Sequence, residues 1–120
     1  MIKQATNALQ KCFAFDTCHH SYQRKWSVEN PSVGHCAIAS LVLHEMFGGS
    51  IMKTKVGHST HYYNVIDNAI LDSTSAQFNT PIPYERGVLC DSKKMLKVQD
   101  TKERYEVLKK RLLATFGGTI

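Results

Sequence analysis

The sequence predicts an α+β domain in which a central buried helix packs on a small antiparallel sheet. Three observations lead to that class. The run HCAIASLVLHEMF, from His35 to Phe47, leaves almost no polar face. The segments SIMKTKV, THYYNVI and DNAILDST behind it alternate in character and are rich in β-branched and aromatic residues. Finally, segments near both ends of the chain carry apolar residues at helical spacing.

Taken in order, Ala5, Leu9, Cys12 and Phe13 form one stripe, which predicts an amphipathic helix from about Gln4 to Phe15. Asp16 to Val33 is long and rich in turn formers, so it reads as a loop of the kind that carries function in small domains. The buried helix follows and is ended by Gly48-Gly49. The three strands behind it make an antiparallel meander. Pro81 and Pro83 mark a further loop, GVLC reads as another short strand, and MLKVQ fits either helix or strand. Asp100 and Glu103 suggest a capping box for a last helix with Tyr105, Leu108, Leu112 and Leu113 on its apolar side and Gly117-Gly118 at its close.

A chain of 120 residues with 42% hydrophobic content suits one domain with one core, and no repeat or linker divides residues 1–120. The amino terminus lacks the apolar run of a signal peptide, and no uncharged stretch reaches the roughly 18 residues of a membrane span. A cytoplasmic protein without membrane contact is therefore expected. Cys12, Cys18, Cys36 and Cys90 are scattered, which favours free thiols over a disulfide framework. The net charge of +5 invites a nucleic-acid reading, but in DTKERYEVLKKRLL the basic residues interleave with Glu103 and Glu106 as on a solvated helix face. No aromatic platform, zinc-finger or helix-turn-helix pattern supports nucleic-acid binding, so it is disfavoured.

Cys36 begins the buried helix, directly after Gly34 and His35. A cysteine there is either a small packing residue or a nucleophile, because the unpaired N–H groups and the dipole of a helix start favour a thiolate. The same N–H groups can donate to an oxyanion. A nucleophile needs a base. His35 would project about 100° away around the helix, and His44 would lie about 12 Å along it. His61 opens the middle strand, where a helix start packed on the sheet can meet it. The acceptors available to orient its ring are Asn64, Asp67 and Asp72. Asn64 is an odd step along the strand and faces the other way, while Asp67 is about 20 Å distant. Asp72 shares the face of His61 if the hairpin turns through two residues at Asp67-Asn68; a three-residue loop would reverse this. Metal ligands are a further reading, from His58 and His61 with either Cys36 or the cluster Cys18-His19-His20. The absence of Cys-x-x-Cys and His-Glu-x-x-His spacing disfavours it, so neither a metal nor a cofactor is expected.

The order GHCA, THYYN, ILDST resembles the papain-like and transglutaminase-like superfamily. More closely, WSVENPSVGHCAIASLVLHEMFGG, HYYN, LDSTSAQF and TKERYEVLKKRL resemble the small bacterial YunG-like proteins. The superfamily resemblance implies a minimal papain-like domain with Cys36 as nucleophile, His61 as base and then acid, and Asp72 as orienter. It also implies Asn30, six residues before the cysteine, as a candidate oxyanion donor. Ala37 stands where papain-like proteases have an aromatic residue, and little chain remains for a second lobe, so an extended peptide is not the expected substrate. The resulting expectation is a cysteine-dependent hydrolase or acyltransferase acting on a small amide or thioester. Its competitor is a non-catalytic binding or regulatory module on the same scaffold.

Overall fold

The computed structural model describes residues 1–115. Helix α1 (Ile2–Lys11) is followed by α2 (Cys36–Phe47), the strands β1 (Ser50–Val56), β2 (Ser59–Ile66), β3 (Ala69–Leu71) and β4 (Val88–Cys90), and helices α3 (Ser92–Met95) and α4 (Gln99–Thr115). The sheet has the order β3-β2-β1-β4 and is antiparallel throughout. The domain is α+β, with α2 set between the sheet and the terminal helices. Its residues Ile38, Val42 and Leu43 join Leu9 of α1 and Leu108 and Leu112 of α4 in one core, each fully buried.

That packing explains why α2 lacks a polar face: it meets neighbours on nearly every side. Its one buried hydroxyl residue, Ser40, offers its carbonyl to the Asn64 side-chain amide of β2 at 3.0 Å. This polar tie fastens helix to sheet where both residues are buried. On the other face of β2, His61 and Tyr63 are buried beneath the segment that links β3 to β4. Thr54 of β1 donates to the Pro83 carbonyl at 2.9 Å, and the Tyr63 hydroxyl donates to the Tyr84 carbonyl at 3.1 Å. Gly87 permits the approach, since a Cβ there would stand 1.8 Å from the Tyr63 oxygen.

The β2–β3 hairpin turns through two residues. Asp67 and Asn68 have φ of 53° and 63°, the left-handed pair of a type I′ turn, and Ile66 pairs with Ala69. Asn64 therefore faces Leu71, and the register sets Asp72 beside the His61 side of β2.

Several boundaries differ from the expectation. Helix α1 ends at Lys11 rather than near Phe15, because the Ala14 N–H is taken by the Thr17 hydroxyl at 3.1 Å and Phe15–Thr17 form a separate 3₁₀ turn. Asp100 is not the cap of α4. It lies inside the first turn and accepts from Arg104 Nε at 2.9 Å, while Glu103 accepts from Gln99; these i,i+4 pairs replace the capping box. Arg104 is itself buried and reaches the Thr17 carbonyl at 3.1 Å, pinning the long loop to α4. The MLKVQ segment is the turn between two helices: Met95 ends α3 and Gln99 begins α4. Gly117-Gly118 lies outside the described residues.

Candidate active site

Gly34 decides where α2 begins. Its φ is +75°, and a Cβ would fall 2.4 Å from Cys18 Sγ and 3.0 Å from the His19 backbone nitrogen. Only glycine fits both the conformation and the space. The His19 N–H donates to the Gly34 carbonyl at 3.0 Å, so the long loop is docked on the helix start. His35, the residue at the N-cap, turns its fully buried ring inward, stacked on Phe13 at 4.6 Å. Its Nδ1 lies 2.9 Å from the Val33 carbonyl and its Nε2 2.7 Å from the Thr17 hydroxyl. Burial holds its pKa down at about 4, so the ring is neutral at physiological pH; Nδ1–H donates to Val33 and Nε2 accepts from Thr17. His35 is a structural histidine.

Cys36 is the first residue of α2 and is half-buried, with its sulfur 4.0 Å from the Thr60 carbonyl. His61 has no exposed surface. Its Nε2 meets Asp72 Oδ2 at 2.7 Å, and a carboxylate only accepts, so Nε2 carries a proton. Burial by itself would lower the imidazole pKa. The hydrogen bonds and negative charges of Asp72 and Cys36 outweigh it and push the value up to about 9. The second nitrogen, Nδ1, is buried and lacks a well-formed hydrogen bond although the Cys36 thiol is near enough to act on the ring.

Asp72 is held from three directions. Besides His61, Oδ2 accepts from the Tyr84 hydroxyl at 2.7 Å, and Oδ1 accepts from the Thr74 N–H at 3.2 Å. Burial and the adjacent carboxylate push the Tyr84 pKa upward, so the phenol remains a donor. Phe78 sets its ring edge-on to His61, 4.8 Å away and at 87°. Tyr84 and Phe78 carry no sequence signal, since both lie in the loop between β3 and β4 and reach the site only through the fold.

Cys36, His61 and Asp72 are thus brought together. Asn64 points to α2 instead, as strand parity predicts. Asn30 is not brought to them: its N–H closes a tight turn on Ser27 at 3.1 Å, and it lines neither cleft at Cys36. The donors that are present beside the sulfur are the first-turn N–H groups of α2, which have no intrahelical partners. The two clefts, of about 240 and 370 Å³, share Tyr22, Gly34, Cys36, Ser59 and Thr60. A depression of about 470 Å³ beside Trp26 shares no lining residue with them and has no part in this chemistry.

The other thiols have different settings. Cys18 is buried, donates to the Val33 carbonyl at 3.2 Å, and has its pKa pushed up by burial; burial does the same to Cys90. Of the metal-ligand sets weighed from sequence, only His19 and His20 are gathered among the described residues, with Asp100 rather than Cys18. Their donor atoms lie within 4.8 Å of one another, but Asp100 is paired with Arg104 and His19 Nδ1 accepts from the Ser21 N–H at 3.1 Å.

The fold and the cluster together define a small α+β protein with a cysteine, a histidine and an aspartate gathered at a helix start. The chain belongs to the YunG family, whose description is "YunG protein" and which it matches over residues 1–117. It is similar to the curated "Uncharacterized protein YunG" of Bacillus subtilis (strain 168), with 39% identity over 85 residues that cover 71% of this chain and 72% of the relative. No solved structure matches the chain. Among the described residues, no helix is long and apolar enough to cross a membrane.

Proposed function

We propose that the protein is a cysteine-dependent acyl hydrolase or acyltransferase with a papain-like, transglutaminase-like Cys36–His61–Asp72 site. The observation that carries this reading is a fully buried imidazole bonded to a buried carboxylate at 2.7 Å and otherwise facing a helix-start thiol. Structural histidines bury themselves neutral, as His35 does here. His61 is instead held in a setting that favours its cation, which suits a thiolate beside it.

In the proposed reaction the Cys36 thiolate attacks the carbonyl carbon of an amide or thioester, and the oxyanion is met by N–H groups of the first turn of α2. The tetrahedral intermediate collapses as His61 Nδ1–H gives its proton to the departing amine or thiolate, leaving an S-acyl enzyme. Nδ1 then takes a proton from water, or from an acceptor nucleophile, as that group attacks the thioester. Collapse of this second intermediate breaks the carbon–sulfur bond and expels the Cys36 thiolate beside the reprotonated Nδ1, which restores the starting pair. Nε2–H stays on Asp72 throughout and keeps the ring aimed.

The test is a panel of small thioesters, esters and amides with the parent and Cys36→Ala. The variant should lose turnover, at least 10³-fold on the usual scale for a removed nucleophile, while its urea-unfolding free energy changes by less than about 1 kcal/mol, since little buried volume is removed. Equal turnover by both proteins, or none by the parent with a large stability loss in the variant, would make Cys36 a packing residue of a non-catalytic scaffold.

A further inference from the structure

The surroundings of Cys36 are electrostatically one-sided. The smaller cleft is lined by Lys25, and the larger by Arg104 and His58, together with His19, whose pKa burial and the neighbouring Arg104 hold below the usual imidazole range. No aspartate or glutamate lines either one among the described residues. Asp72 reaches His61 from the far side and is not part of either wall. Asp100 neutralises part of the Arg104 charge and its carboxylate lies within 4.8 Å of His19, but it lines, with Glu103, a separate depression rather than the Cys36 clefts. Arg104 is buried and anchored by Thr17, so its charge is fixed in place between the two hollows, whereas Lys25 and His58 are exposed and free to swing. The remaining polar lining consists mainly of hydroxyls, from Ser21, Tyr22, Ser59, Thr60 and Tyr62.

From this lining we infer that the cleft selects a small acyl donor bearing an anionic group, a carboxylate or a phosphate, close to its reactive carbonyl. Three features act in one direction: the cationic walls, the absence of carboxylates that would repel such a group, and the positive end of α2 at the reacting atom. Hydroxyl donors around the walls satisfy the remaining oxygens of an oxygen-rich donor. The inference rests on Cys36 being the nucleophile, and it adds the charge of what that nucleophile meets.

A pair of alkylating reagents separates the two ideas without a known substrate. Iodoacetamide and iodoacetate differ chiefly in charge, and each is attacked by a thiolate that forms an S–C bond as iodide leaves. The rate ratio of iodoacetate to iodoacetamide at Cys36 is to be compared, by mass-spectrometric mapping at low ionic strength, with the same ratio for N-acetylcysteine. The expected ratio is at least about three-fold above that of the free thiol, the size of one partly screened charge interaction. It should fall with added salt and fall again in Lys25→Glu and His58→Glu, both exposed positions where folding is not at stake. A ratio at or below the free-thiol value, with Cys36 still labelled readily by iodoacetamide, overturns the anionic preference and leaves the nucleophile standing. Failure of both reagents to label Cys36 ahead of Cys90 overturns the nucleophile and this inference with it.

Discussion

At the scale of single residues, the character of the site depends on which influence governs His61. A fully buried imidazole loses hydration, which favours the neutral ring; Asp72, through one 2.7 Å bond and its charge, and the neighbouring Cys36 together reverse that balance. Asp72→Asn keeps the shape and removes the charge. The His61 pKa is then expected to drop from about 9 to below the ordinary value of about 6.5, because burial becomes the governing influence. Titration of the imidazole by NMR reads this directly, and a pKa remaining near 9 would mean that Cys36, not Asp72, sustains it. The convergence of Cys36, His61 and Asp72 was partly legible in the sequence, because each stands at a position with local meaning: a helix start, a strand face, and a hairpin register that depends on the turn length. Tyr84 was not legible. Its hydroxyl meets Asp72 across a loop of 12 residues with no periodic pattern.

Among the elements, the start of α2 depends on a glycine in a crowded left-handed position. Gly34 must hold φ +75° while the long loop presses Cys18 and His19 against its Cα. Gly34→Ala adds a strained conformation and a clash with backbone, and is expected to cost about 2 to 5 kcal/mol. Chemical denaturation checks the cost. Labelling of Cys36 in the variant should slow as well, since the loop and the helix start separate together. A variant of parental stability would show that the loop yields easily, and that the helix start is not a rigid platform. The same scale explains two misread boundaries. Asp100 resembles a cap in sequence, but the buried guanidinium of Arg104 claims its carboxylate; Phe15 resembles the end of a helix stripe, but the Thr17 hydroxyl closes a tighter turn first.

At the scale of the whole molecule, two buried histidines oppose each other across the pH range. His61 has a folded pKa of about 9, above its unfolded value of about 6.5. Its stabilisation is therefore complete below about pH 6.5 and is lost as pH rises toward 9. His35 is depressed to about 4, so its contribution is complete above about pH 6.5 and is lost as pH falls toward 4. Each limb is on the order of 3 kcal/mol by linkage. Unfolding free energy should consequently peak near pH 6.5. Urea titrations across pH 4 to 9 test this, with His61→Gln expected to flatten the alkaline limb alone. An unchanged alkaline limb in that variant would assign the loss to other groups.

Local sequence encoded the apolar helix faces and the alternation of the strands, and it tied the side of the sheet on which Asp72 meets His61 to the length of one turn, which the structure shows to be two residues at Asp67-Asn68. These are local properties: a 3.6 or 2.0 period and left-handed φ values are encoded within a few residues. Only the tertiary structure decided that the loop between β3 and β4 covers the second face of the sheet, bringing Tyr84 to Asp72 and Phe78 to His61. It also decided that Arg104, 87 residues from Thr17, stands in the wall of the Cys36 cleft, and that Asn30 remains in its own turn. Such contacts form because core burial closes long loops around α2, and the free energy of that closure is spread over the whole core rather than written at either end of any one contact.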